Sequence, residues 1–105
     1  DRDSFAPTHI LHDHVAYEIS DIPIYIGTDV KTYDRYIKLD PSSPGISRKH
    51  CSIYMQEGHC IFSDLSRYGS FLNERRVKEE IVLQKGDLLK IGSPSIEFKL
   101  ISIER

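Results

Sequence analysis

The 105-residue chain is expected to fold as an all-β sandwich or barrel. Three features lead there. Apolar and polar residues alternate in short runs, helical periodicity is missing, and turn signals punctuate the runs. His14 to Ile19 and Ile22 to Ile26 open the series, followed by Tyr36-Ile37-Lys38-Leu39, Cys51 to Met55 and Cys60-Ile61-Phe62. Ser70-Phe71-Leu72, Leu88-Leu89-Lys90-Ile91 and Ile96 to Ile103 continue it. Between them lie Pro41-Ser42-Ser43-Pro44-Gly45, Glu57-Gly58, Lys85-Gly86-Asp87 and Gly92-Ser93-Pro94, whose residue types favour turns. Glu74 to Glu80 is brief and flanked by strands, so it reads as a loop. Residues 1–14 are expected to be an N-terminal extension or a first strand, and residues 15–105 the domain proper.

Length allows a single core. Hydrophobic content of 39% and charged content of 29% are ordinary for a globular protein, and no apolar run is long enough for a membrane helix. Nothing at the start resembles a secretory signal, and without an initiator Met the chain reads as a piece of a longer protein. The net charge of −2 is unevenly spread. Residues 1–30 hold one basic residue against six acidic ones, whereas residues 31–50 hold five basic against two acidic. A basic segment in a mildly acidic domain favours a local anionic ligand over the broad basic face that nucleic acid needs.

Cys51 and Cys60 are too few for a disulfide scaffold. In a hairpin turning at Glu57-Gly58, Cys60 lies opposite Met55, and Cys51 is about 13 Å further along at ~3.3 Å per residue. The two thiols share a face yet cannot bridge. Reduced, buried cysteines fit an intracellular, cytosolic or nuclear, protein.

The candidate chemistry begins at "GISRKHCSI", where Ser47, Arg48, Lys49 and His50 precede a strand. Ser47 and His50 lack an orienting carboxylate and an oxyanion loop, so a nucleophile–base pair is set aside and no enzyme is expected. A loop offering a hydroxyl, free backbone N–H groups and a guanidinium can instead cradle a tetrahedral dianion. Lys49 alternates away from Arg48 and is expected in solvent. The second stretch, "SDLSRYGSFLN", leaves a strand, turns through Ser66-Arg67-Tyr68-Gly69 and re-enters a strand. Gly69 suits a positive φ, and Asn73 is placed to bond backbone in neighbouring loops. His9, His12 and His14 have no cysteine or carboxylate cluster to complete a metal site. Tyr33, Tyr36 and Tyr54 do not interleave with a basic stripe, and Arg75-Arg76 reads as an exposed turn.

Together the two stretches resemble the forkhead-associated (FHA) family, whose pattern runs Gly-Arg, Ser-x-x-His and Asp-x-Ser-x-Asn-Gly-Thr-x-x-Asn. Ser47-Arg48-Lys49-His50 matches the second block and Asp64 through Asn73 the third. Leu83 through Gly92 is similar to the closing Leu-x-x-Gly-Asp-x-Ile-x-Ile-Gly, and Tyr25-Ile26-Gly27 to the strand before Gly-Arg. The resemblance implies a β-sandwich of about eleven strands whose loops at one end bind phosphothreonine peptides, without cofactor or metal. It places Thr28, Ser47, Arg48, Arg67 and Tyr68 at the phosphopeptide. Gly27, His50, Asp64, Ser66, Gly69 and Asn73 become supports of the loops. The implied partner is a phosphothreonine-bearing protein, with no nucleic acid or membrane, and the implied setting is nuclear DNA-damage or chromosome signalling. The alternative is the same scaffold used for phosphate-independent assembly or homodimerisation.

The chain departs from the family pattern in four places. Thr28 stands where the family has its arginine. Arg67 replaces a Ser or Thr, and its guanidinium restores a charge that Thr28 does not supply. Tyr68 replaces an Asn, as in the nibrin-like DNA-repair members. The segment "TDVKTYDRYIKLDPSSPG" is longer than usual and adds Lys31 and Arg35, both expected in solvent.

Overall fold

The computed structural model describes residues 5–104. They form eleven strands in two packed sheets with no helix. In chain order the strands are β1 (His9–His12), β2 (Val15–Glu18), β3 (Ile24–Gly27), β4 (Tyr36–Lys38), β5 (Cys51–Gln56) and β6 (His59–Asp64). They continue with β7 (Ser70–Leu72), β8 (Arg75–Arg76), β9 (Glu80–Leu83), β10 (Leu88–Ile91) and β11 (Ile96–Ile101). One sheet runs β2-β1-β11-β10-β7-β8 and the other β4-β3-β5-β6-β9. All pairings are antiparallel except β3 with β4.

Alternation explains the core. Ile24 and Ile26 of β3, Cys51 and Ile53 of β5, and Cys60 and Phe62 of β6 turn inward, and Tyr25 and Tyr54 turn out. The other sheet answers with Leu89, Ile91, Phe98 and Leu100, all 0% exposed. Each such side chain contributes about 1.5–3 kcal/mol on burial.

β1 lies within residues 1–14, and Ile10 is its one buried residue. Two strands escape the sequence reading. β9 is an edge strand with only Leu83 buried, and Ile81 and Val82 both exposed. The expected loop over Glu74 to Glu80 and the expected turn at Arg75-Arg76 are corrected: a two-residue turn, Asn73-Glu74, reverses the chain into β8. Both turn residues have positive φ, 49° and 72°, the twist that tight hairpins require.

The cysteine expectation holds: Met55 pairs with Cys60, and both thiols are free and buried. Burial, with the Asp87 carboxylate second, pushes the Cys60 thiol up to about 12. Burial and then Asp64 push Cys51 higher still. A thiolate is the reactive form. The folded protein should therefore leave a disulfide-exchange reagent unreacted at neutral pH and release two thiols only on denaturation; a fast-reacting native thiol would contradict the burial.

Candidate functional site

The tips of the β4–β5 and β6–β7 loops meet at one end of the sandwich. The Ser47–Arg48 backbone is strapped to the end of β3, with Thr28 N–H donating to Ser47 O (3.3 Å) and Asp29 N–H to Arg48 O (3.0 Å). Ser93 N–H donates to Pro44 O (3.0 Å), which ties the base of this loop to the β10–β11 turn. Gly27 makes the closeness possible: a β-carbon there would lie 2.1 Å from Arg48 O and 3.0 Å from His50 N.

His50 is 0% exposed and joins the two loops. Ser47 N–H donates to His50 Nδ1 (3.1 Å), which fixes the neutral ring with its proton on Nε2. Nε2 in turn donates to Gly69 O (2.9 Å). Burial pushes the His50 pKa below its usual value, outweighing the Gly69 carbonyl and the Asp64 carboxylate, which pull upward.

The β6–β7 loop is knotted by its own short polar side chains. Asp64 Oδ1 accepts from Ser66 Oγ (2.6 Å), Ser66 N (3.2 Å) and Ser70 Oγ (3.0 Å). Gly69 N–H donates to Ser66 Oγ (2.7 Å), and Leu65 N–H donates to His50 O (2.9 Å). Gly69 takes φ +94°, costly for any other residue.

The loops touch where Arg67 N–H donates to Ser47 Oγ (3.0 Å). That bond uses a lone pair of Ser47 and leaves its O–H proton for a ligand. Ile46, Ser47, Arg48, Arg67 and Tyr68 line a hollow of about 270 Å³ here. Arg48, Arg67 and Tyr68 are exposed, and among the described residues neither guanidinium has a carboxylate partner. Arg48 N–H also has no acceptor among them. A hydroxyl, a backbone N–H and two planar cations around one concavity form a receptor for a tetrahedral dianion.

Not every expected residue reaches the hollow. Thr28, whose N–H donates to Ser47 O, is outside the lining. Asn73, expected as a support and not at the hollow, lies at the far end of β7, where Leu88 N–H donates to its Oδ1 (3.0 Å) and its Nδ2 donates to Asp87 Oδ1 (2.9 Å). The long β3–β4 segment starts against the β4–β5 loop at Asp29 and leads away from the hollow towards Arg35. Arg35 donates to Ser20 Oγ (3.4 Å) beside Met55, towards the opposite end, while Lys31 is exposed. Tyr33 stacks on Tyr25 with ring centroids 3.9 Å apart, and Lys49 Nζ lies 5.8 and 6.0 Å from the two rings. Lys49 is thus exposed, as expected, yet it also caps an aromatic pair. Arg76 was missed by sequence reasoning: its guanidinium packs over Gly69. The signal for it is the two-residue turn, which sets Arg76 opposite Phe71. No group of His, Cys, Asp and Glu among the described residues is placed to hold a metal ion.

The family model described as the FHA domain matches residues 24–92, well over half the chain. The chain belongs to the FHA domain family. Solved FHA domains share its fold. The FhaA FHA domain, complexed with the intracellular domain of Rv3910, is 26% identical, with a TM-score of 0.69 over 86% of this chain and 94% of that one. The FHA domain of an Arabidopsis thaliana hypothetical protein is 22% identical, with a TM-score of 0.76 over 95% and 89%. The MEK1 FHA domain, in complex with a phosphothreonine peptide of HOP1, is 18% identical, with a TM-score of 0.71 over 94% and 99%. A comparison with curated proteins gave no match.

Two measurements test the geometry of this FHA domain. Gly27→Ala should cost about 1–3 kcal/mol and push the Ser47–Arg48 backbone outward, read as a lower melting temperature with shifted amide resonances in residues 47–50. The second concerns pH. Because folding lowers the His50 pKa, the unfolded chain binds the extra proton first. His50 therefore contributes stability above about pH 6.5, the unfolded value, that is lost as pH falls towards its lowered folded value. Wild type should lose melting temperature on acidification below that point more steeply than His50→Gln; equal slopes would contradict the buried neutral ring.

Proposed function

We propose that this FHA domain is a non-catalytic module that binds phosphothreonine-bearing protein segments through the hollow between the β4–β5 and β6–β7 loops. The observation that carries this is the Arg67 backbone N–H to Ser47 Oγ bond, which joins the two loops so that Ser47, with its O–H undonated, and Arg67 line one hollow. A phosphorylated side chain brings roughly −1.5 to −2 charges and strong acceptor oxygens. Ser47 O–H and Arg48 N–H donate to those oxygens, and Arg67 supplies the cation that Thr28 does not. Because the loops are preformed, little ordering entropy is lost on binding. The MEK1 FHA complex with a phosphothreonine peptide supports the same mode here. A nuclear signalling role is proposed on the family resemblance alone.

The test is titration with one threonine peptide library, phosphorylated and unphosphorylated. Binding should require the phosphate. Arg67→Ala should weaken it by about one to two decades, from ~1.5–3 kcal/mol for a charged hydrogen bond. Ser47→Ala should weaken it by about one decade. Equal affinity for both peptide forms would overturn the proposal and favour a phosphate-independent scaffold.

A further inference from the structure

The geometry points to a second cationic subsite: we propose that Arg76 reads a carboxylate side chain close to the phosphothreonine, giving the module a preference for acidic flanking sequence. This rests on the phosphopeptide reading above.

Arg76 is fixed in an unusual way. If Gly69 carried a β-carbon, Arg76 Nε, Cζ and one terminal nitrogen would lie 2.9, 3.0 and 3.1 Å from it. Three nearly equal distances mean that the guanidinium lies with its flat face towards Gly69. Its N–H edge is then turned aside from the glycine. Glycine at 69 therefore serves twice, once for its φ of +94° and once as the bare platform on which the guanidinium rests. A parked Arg side chain gives up less rotamer freedom when it binds, which is the usual entropic cost of a long cation.

Nothing in the described chain uses those donors. The Arg76 side chain has no hydrogen bond or ion pair among the described residues. It shares the outer face of its sheet with Phe71 and, two strands over, Lys90. The carboxylates of Glu74 and Glu97 go to Lys90, at 2.6 and 4.0 Å. Asp64 is engaged by Ser66 and Ser70 inside the loop. The lysine of this face is neutralised and the arginine is not.

Position supplies the rest. Gly69 adjoins Tyr68, which lines the hollow, and lies two residues from Arg67. Two residues span at most ~7 Å, and the bend at Arg67-Tyr68 shortens that, so Arg67 and the Gly69 platform lie within the span of two residues of extended peptide. With the phosphate at Ser47 and Arg67, a carboxylate within about three residues of it reaches Arg76. A planar fork favours a bidentate carboxylate there.

The experiment measures binding of a phosphothreonine peptide with neutral flanks against a set carrying one Glu at each flanking position in turn. In wild type at least one Glu position should improve affinity about three- to five-fold, the range of a partly exposed ion pair, and the gain should shrink as salt is raised. Arg76→Gln should bring every Glu peptide to the affinity of the neutral one. Arg76→Lys, which keeps the charge but not the fork, should lose most of the preference and guards against misfolding of the first variant. Arg75→Gln, whose side chain alternates to the other face, should keep it. Absence of any Glu preference in wild type, or its survival in Arg76→Gln, overturns the subsite while leaving phosphate binding intact. Failure of wild type to bind any phosphopeptide overturns the phosphopeptide reading itself.

Discussion

A neutral imidazole sealed between two loops is the constraint on which this end of the molecule depends. His50 accepts from the Ser47 backbone on one side and donates to the Gly69 carbonyl on the other. Both loops carry the residues that face solvent, so their relative position is set from beneath by a group that no ligand touches. An unpaired buried donor or acceptor costs about 1–3 kcal/mol, which makes the bridge expensive to break on either side. The sandwich keeps that ring out of water, and its two bonds hold it in one tautomer.

The same logic explains why short polar residues crowd the β6–β7 loop. Asp64, Ser66 and Ser70 satisfy one another, leaving the Arg67 and Tyr68 side chains without an inward role and free to meet a ligand. Charge is thus divided by depth: the carboxylate of the loop is spent inside it, and the guanidinium groups stand outside. Among the described residues, a dianion entering the hollow meets no buried carboxylate oxygen left without a hydrogen-bond donor. The cationic character of this end arises from that partition, although the chain as a whole carries a net charge of −2.

Strand alternation made most of the fold legible, because Cys51, Ile53, Cys60 and Phe62 report inward directions that only a half-buried sheet requires. The strands that were illegible are those whose sequence does not alternate: β9, at a sheet edge with Ile81 and Val82 both exposed, and the two-residue β8. In the site, the residue types named the chemistry and the motif spacing brought Ser47, Arg48, Arg67 and Tyr68 to one hollow. Register decided what spacing did not. Thr28 is adjacent in sequence to Gly27 yet stays outside the lining of the hollow, and Arg76, six residues beyond Ser70, returns to Gly69 because a two-residue turn folds β8 back on β7.

Thr28 in place of the family's arginine raises the question of where the missing charge is made up. In this fold Arg35 is turned to Ser20, and Lys31 is exposed and outside the lining of the hollow. Arg67 is beside Ser47 by direct hydrogen bond. The account therefore requires the two loops to be joined before any ligand arrives. Amide hydrogen exchange in the free protein tests this most directly. Ser47 and Arg67, whose N–H groups are held by His50 Nδ1 and Ser47 Oγ, should exchange slowly, and the Arg48 N–H between them quickly. Rapid exchange at both Ser47 and Arg67 would show that the loops stand apart in the free state, and the preformed receptor would be contradicted.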